Sequence, residues 1–353
     1  MPPLLFHLAA KKDLTAAQAT ELFHFLIHPE TMDGERVAIL AALRDKGETA
    51  TEVAAFAKAM RAAATDPGIV HTEYAGTILD IVGTGGDGAN TINISTAAAL
   101  LAAATTKKIV KVVKHGNRAI SSKSGASDVL AALGVPPAMN PQAARELLAR
   151  TGFTYLHAPH YHPSVAAVAN ARKMLGTRSI FNILGPLCNP ARPTTALIGA
   201  FSPEAAKLIA YAAKDLGYRT VVVIHTPTGP NSGLDEATTA LPYSEWRMSS
   251  GRVTTSSGSG QTAGFYPPGK LEDIRGRDAA YNAQVIRDVF AGRPHPATET
   301  ILLNTALALR SCGWAGDAGG CARMAKAAID DGRAANLLSE LESFGREQPH
   351  DPA

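Results

Sequence analysis

The most constraining feature of this chain is a strand-like run that breaks into glycines. Residues 78–82 read Ile-Leu-Asp-Ile-Val, and Gly83, Gly85, Gly86 and Gly88 follow at once. A short β-branched run bounded by glycine marks a buried strand, and the stretch from Asn93 (Asn-Ile-Ser-Thr-Ala-Ala-Ala) then reads as a helix. The unit recurs. Residues 108–113 (KIVKVV) predict a second strand, and a second helix follows and ends at Gly134; residues 195–201 and 220–226 predict two more strands around a helix over 203–217. Strands alternating with helices of this length imply a mainly parallel sheet with helices on its faces.

Upstream of that unit the period changes. From Leu14 to Thr65 apolar residues recur three or four apart, Gly47 closes one run, and Thr49 with Glu52 has the spacing of a capping box. The expected fold class is therefore α/β. A small N-terminal all-helical domain (1–72, with a returning helical segment near 165–192) joins a larger α/β domain (73–353) with a mainly parallel central sheet. Residues 162–176 predict one helix that can pack on the N-terminal helices or on the sheet. Residues 243–270, rich in Ser, Gly, Thr and Pro, predict hairpins and loops, and the chain reads as helical again from Ala279 to Phe344.

Composition excludes several classes. A net charge of +3 is too small to argue for a nucleic-acid or membrane partner. Cys188, Cys312 and Cys321 are scattered and make neither a metal spacing nor a disulfide framework, so a reducing cytoplasm is expected. No signal peptide and no stretch of spanning length is recognised.

Three segments carry chemistry. The glycine loop lets the backbone approach a ligand closely, and the helix after it aims free N–H groups and the positive end of its dipole at an anion. Asn93, Ser95 and Thr96 add side-chain donors. Gly83-x-Gly85-x-x-Gly88 matches the dinucleotide fingerprint, but the next strand runs into Lys114 and His115 rather than the required carboxylate. The second segment, residues 114–128, interleaves Lys114, His115, Arg118 and Lys123 with Asn117, Ser121, Ser122 and Ser124, which suits a ligand with several phosphates. The third is Asp235-Glu236, a loop pair suited to Mg²⁺, which takes few protein oxygens and completes its shell with phosphates and water. Asp80, inside an apolar run, and Asp87, placed to cap a turn, are weaker ligands. His157, His160 and His162 lack the partners of a zinc site, because Pro159 and Pro163 break any shared helical face. Arg172 can clamp a carboxylate in bidentate fashion, although an arginine taken alone in this setting reads as a surface residue.

These segments, GTGGD, NIST, KHGNRAISSKSG, FNILGPLCNP and GLDE, stand in the order found in the anthranilate phosphoribosyltransferase family, which the chain resembles along nearly its whole length. The resemblance implies a nucleoside phosphorylase/phosphoribosyltransferase-like fold paired as a homodimer. The implied substrates are phosphoribosyl pyrophosphate and anthranilate, with two Mg²⁺ ions per subunit. It implies a donor site of Gly83, Gly86, Asp87, Thr91, Asn93, Ile94, Ser95 and Thr96, covered by Lys114, His115, Gly116, Asn117, Arg118, Ala119, Ile120, Ser121, Ser122 and Ala126. Ser95 and Glu236 would hold one ion, and Asp235 with Glu236 the other. Gly83, Asn117 and Arg172 would address anthranilate, and His115, Pro159 and His162 would line its access path. Lys114, Arg118, Asp235 and Glu236 would carry catalysis. The order Ser124-Gly125-Ala126-Ser127-Asp128, the long connection over 105–113 and the small Val165 depart from the family pattern.

Two rivals make different demands. A pyrimidine nucleoside phosphorylase needs one phosphate site and a base pocket, and explains the Asp-Glu pair less well. A nucleic-acid-binding relative would carry a basic stripe in place of these loops.

Overall fold

The computed structural model describes residues 3–70, 77–118, 123–136, 139–230 and 232–348. The N-terminal periodicity becomes α1 (Pro3–Ala9), α2 (Ala16–Ile27), α3 (Asp33–Lys46) and α4 (Ala50–Ala62). Thr49 caps α4 as its spacing predicts, accepting from the Glu52 N–H while the Glu52 carboxylate accepts from the Thr49 N–H. Glu52 is fully buried, and it also accepts from the Leu14 N–H at 2.8 Å and pairs with Lys46 at 3.0 Å. One side chain thus ties three segments of the helical lobe together.

The alternating region follows as β1 (Ile78–Gly83), α5 (Ile94–Thr105), β2 (Lys111–Gly116), α6 (Ala126–Ala132), α7 (Pro141–Thr151) and β3 (Phe153–His157). Strand β2 begins at Lys111 rather than at residue 108. Lys107 and Lys108 turn with positive φ (50° and 70°), closing α5 before the strand can start. Next come α8 (Ala158–Tyr161), a 3-10 segment (Pro163–Val168), α9 (Ala169–Leu175) and α10 (Phe181–Leu184). The single helix predicted over 162–176 is therefore split. Pro163 opens a tight turn, and only after Val168 does the regular helix run, to end at Gly176 in the left-handed region. This returning segment packs on the helical lobe, with α9 against α3 and α10 against α4.

The sheet is completed by β4 (Thr195–Gly199), β5 (Thr220–Gly229), a short β6 (Ser232–Leu234), and the hairpin β7 (Tyr243–Ser249) and β8 (Arg252–Gly258). Helix α11 (Pro203–Ala212) joins β4 to β5. The strand order is β3-β2-β1-β4-β5-β7-β8, with β6 paired to β5. Strands β3 through β5 are parallel and β7 and β8 antiparallel. Helices α12 (Ala279–Phe290), α13 (Thr298–Ser311), α14 (Ala318–Asp330) and α15 (Arg333–Glu347) end the described chain.

Because side chains alternate across a strand, each central strand feeds two cores. On β4 and β5, Leu197, Val222 and Ile224 join the core under α5 and α12–α15. Ala196, Ile198, Val221 and Val223 join the core shared with the helical lobe. The lobe is thereby fixed to one face of the sheet, beside the strand ends where the glycine loop emerges.

Candidate active site

The chain runs from β1 outward to β2 and β3, then returns to place β4 on the other side of β1. Such a reversal opens a crevice at the strand C-termini, the usual ligand site of an open α/β sheet. Gly83 and Gly199 face each other there as register partners at the ends of β1 and β4. Both are glycine because the Asp235 segment lies on them. A Cβ at Gly83 would sit 2.3 Å from Asp235 Oδ2, and one at Gly199 would sit 1.4 Å from the Asp235 carbonyl oxygen.

The glycine loop then wraps this segment. Gly85, Gly86 and Gly88 have φ of 67°, 72° and 75°, a conformation that a side chain would strain. The Gly85 N–H donates to Asp235 Oδ2 at 2.7 Å, and the Asp235 N–H donates to Asp87 Oδ2 at 3.4 Å. Asp87 also caps its own turn, accepting from the Ala89 N–H at 3.1 Å. Glu236 accepts from the Ser95 N–H at 3.1 Å and from the Thr91 hydroxyl at 3.2 Å. One cavity collects this loop, Ser124 and both carboxylates.

Asp235 and Glu236 are each only 9 % exposed. Burial first, then the charge of Asp87, lifts Asp235 to about 7. Burial and the charge of Asp235 hold Glu236 well above the usual carboxylate range. Two buried acids with a third beside them leave negative charge in want of a cation. The protein groups offered here are the Asp235 and Glu236 carboxylates and the Ser95 hydroxyl, all of them oxygens. That donor set fits Mg²⁺, which keeps waters and substrate oxygens as ligands, and does not fit zinc.

Lys114 lies beneath the loop. It is buried, and its Nζ donates to the Ile81 carbonyl at 2.5 Å and the Ser95 hydroxyl at 3.3 Å. Burial pulls it down to about 8 against the opposing pull of Asp80, Glu236 and Asp235. Asp80 is not a ligand but a foundation: it accepts from the His115 N–H at 3.4 Å and from Asn189 Nδ2 at 2.9 Å. Burial raises its carboxyl to about 6. Asn189, in the FNILGPLCNP stretch, also donates to the Val113 carbonyl at 2.8 Å. It was missed as a functional position, although the motif containing it was visible.

The other expected residues divide. Asn93 faces the basic loop, donating to the Ser124 carbonyl at 3.1 Å, and its amide oxygen accepts from Asn282 on α12, a partner that sequence reasoning missed. Ile94 and Thr96 are buried, and their N–H groups bond to the carbonyls of Ile92 and Asn93. The Thr96 hydroxyl is buried and has no hydrogen-bond partner among the described residues. Gly116 ends β2 beside Ala126, whose Cβ lies 3.2 Å from the place a Gly116 Cβ would take. Asn117 and Arg118 are exposed, and the Arg118 N–H donates to Asn117 Oδ1 at 2.7 Å. Ala119, Ile120, Ser121 and Ser122 lie outside the described residues.

On the acceptor side, Arg172 is half-buried on α9 with its guanidinium 5.5 Å from the Phe181 ring centre. Pro159 is exposed. His115 and His162 are buried edge to face, 5.1 Å between ring centres, so neither ring faces an open path in this conformation.

A doubly wound sheet thus carries a helical lobe on one face and an anion loop closed over buried acids at its switch point. The profile described as the glycosyl transferase family, a/b domain, matches residues 75–335, and that of the family's helical bundle domain matches residues 2–64. An anthranilate phosphoribosyltransferase of Methylocella silvestris is 40% identical over 97% of this chain and 94% of its own length. One from a Shewanella species is 38% identical over 98% of this chain and 97% of its own. Among solved structures, the enzyme of that name from Thermus thermophilus superposes with a TM-score of 0.86 at 32% identity, covering 97% of this chain and 99% of its own. The Saccharomyces cerevisiae enzyme in complex with PRPP and Mg gives 0.80 at 26% identity, covering 94% and 93%. The chain belongs to the anthranilate phosphoribosyltransferase family.

Proposed function

We propose that this chain transfers the phosphoribosyl group of 5-phosphoribosyl 1-pyrophosphate to anthranilate. The products are N-(5-phosphoribosyl)anthranilate and pyrophosphate, in tryptophan biosynthesis. The observation that carries the reading is the closure of the glycine loop over Asp235 and Glu236 at the switch point of the sheet. The yeast relative was solved in complex with PRPP and Mg, and also in complex with 4-fluoroanthranilate, which supports both substrates.

The reading assigns the donor to Gly83, Gly86, Asp87, Thr91, Asn93 and Ser95, with the loop from Lys114 to Ser122 over it. Ser95 and Glu236 would hold one Mg²⁺, and Asp235 with Glu236 a second. The bound metal supplies Lewis-acid stabilisation of charge on the leaving pyrophosphate. Lys114 adds a fixed cation beneath Ser95, and Arg118 is exposed at the rim to meet phosphate oxygens. Arg172 clamps the anthranilate carboxylate, and Asn117 and Gly83 orient the ring.

In the reaction the anthranilate nitrogen bonds to the anomeric carbon as the bond from that carbon to pyrophosphate oxygen breaks, and the nitrogen then loses a proton to solvent. An aromatic amine is already a neutral nucleophile, so the residues act by positioning and by stabilising charge. The helical lobe exposes the large apolar side chains Phe6, Met32 and Met174, which supports pairing of two copies through it. The domain division is taken at 72/73, and the protein is placed in the cytoplasm. No helix among the described residues is long and apolar enough to cross a membrane.

A pyrophosphate-release assay tests the reading. Release that requires anthranilate, phosphoribosyl pyrophosphate and Mg²⁺ together is expected. Phosphorolysis of thymidine or uridine, with no pyrophosphate released, would replace it with the phosphorylase reading.

A further inference from the structure

Arg178, in the returning segment of the helical lobe, is outside the site described above, yet it grips the glycine loop. Its Nη2 donates to the Gly86 carbonyl at 2.6 Å, and its guanidinium carbon lies 3.9 Å from the centre of the Phe201 ring. Phe201, just past β4, is itself tied to the loop, since its N–H donates to the Thr84 hydroxyl at 3.1 Å. Thr84, Phe201, Arg178 and Gly86 therefore close a ring of contacts around the loop's first turn.

The preceding residue reaches the other way. The Thr177 hydroxyl accepts from Arg44 Nη1 on α3 at 2.6 Å. Thr177 and Arg178 follow Gly176, the left-handed residue that ends α9, and α9 carries Arg172. Two adjacent residues thus strap the helical lobe to the glycine loop, directly after the helix assigned to the acceptor.

We propose that Arg178 is a positioning residue for the donor loop and that the Thr177–Arg178 strap makes the loop's geometry depend on the seating of the helical lobe. The inference rests on the proposed function. Gly86, at φ of 72°, has the widest conformational freedom of any residue type, so its peptide needs an external anchor. A trans peptide points its C=O and N–H in opposite directions. Pinning the Gly86 carbonyl on Arg178 therefore fixes the direction of the Asp87 N–H, in the segment that holds Asp235. The planar guanidinium does this while stacked on Phe201, which a lysine ammonium cannot reproduce.

The test is steady-state kinetics and calorimetry of PRPP binding for R178A, R178K and T177V, with thermal melting as a control on folding. R178A is expected to raise the KM and Kd for PRPP about tenfold with kcat little changed, as for loss of a charge-assisted bond. R178K should not restore it. T177V, which touches neither the loop nor a substrate, should raise the same constants about threefold. PRPP constants within twofold of wild type in R178A would overturn the positioning role, and full rescue by lysine would overturn the stacked geometry. An unmoved T177V would overturn the strap. Wild-type protein that binds no PRPP would instead sink the functional reading underneath.

Discussion

The Ser95 backbone N–H donates to the Glu236 carboxylate at 3.1 Å across 141 positions of sequence. The first turn of α5, which from sequence alone reads as a seat for substrate phosphate, is held by one of the chain's own acids. Glu236 therefore does two things: it satisfies a helix N-terminus and it presents a second oxygen, bonded to Thr91, to the site.

Replacing both acids with their neutral isosteres, D235N with E236Q, separates those roles. Each amide keeps one acceptor oxygen, and the Thr91 hydroxyl can accept from the new Gln side-chain N–H instead of donating, so the fold should survive, and melting should move upward as buried like charges are removed. Turnover should fall by about a thousandfold or more, the scale of losing preorganised charge stabilisation. Steady-state kinetics beside a melting curve checks both, and unchanged turnover would remove the acids from the site.

Stability should depend on pH and on metal together. Asp235 stands at about 7 in the fold against an ordinary 3.8, first through burial and then through Asp87. The folded protein holds the extra proton between those values, so this group's contribution falls as pH rises through that window. His162 runs the other way: burial lowers it to about 4 from 6.5, and its contribution is lost as pH falls through that interval. Mg²⁺ competes with protons only at the carboxylates. The rise in Tm on adding Mg²⁺ to chelator-treated protein should thus be larger at pH 8 than at pH 6. Equal rises at both would contradict the raised acid pair as the metal site.

Two glycines at the strand ends should behave differently. Gly199→Ala sets a Cβ 1.4 Å from a backbone oxygen, which cannot yield without moving the Asp235 segment, so soluble expression or melting should suffer. Gly83→Ala meets a side-chain oxygen at 2.3 Å, which can swing away. That variant should fold but lose metal-dependent activity. A fully active Gly83→Ala enzyme would show that the carboxylate position is unimportant.

Arg172→Met should raise the KM for anthranilate by about tenfold to a hundredfold, the range for losing a charge-assisted pair, with PRPP binding unchanged. Calorimetry for the donor and kinetics for the acceptor give the split. A weakened donor with an unaffected acceptor would move Arg172 to the other substrate.

Much of this was legible because the chemistry is local in sequence. The strand-glycine-helix unit around Gly83–Ser95 and the Asp235-Glu236 pair each announce themselves within a dozen residues. What was not legible depends on distant contact. Nothing near Lys114 says that its ammonium turns inward to the Ile81 carbonyl. Nothing near Arg178 says that Gly86 lies within reach. Thr96 reads as a donor because Ser and Thr at a helix start usually are, and sequence alone does not show that its hydroxyl is buried without a partner among the described residues. His115 and His162, which the resemblance sets along the anthranilate path, pack edge to face, a pairing that neither segment announces. The predicted helix over 162–176 failed at Pro163, where local backbone restriction overrode apolar periodicity.

Transfer to anthranilate at the Asp235–Glu236 site should depend on the metal. The most direct measurement follows anthranilate fluorescence after addition of phosphoribosyl pyrophosphate, with Mg²⁺ and with chelator. A decay that requires Mg²⁺ and is abolished in the D235N/E236Q variant is expected. A decay of equal rate without metal, or in that variant, would contradict it.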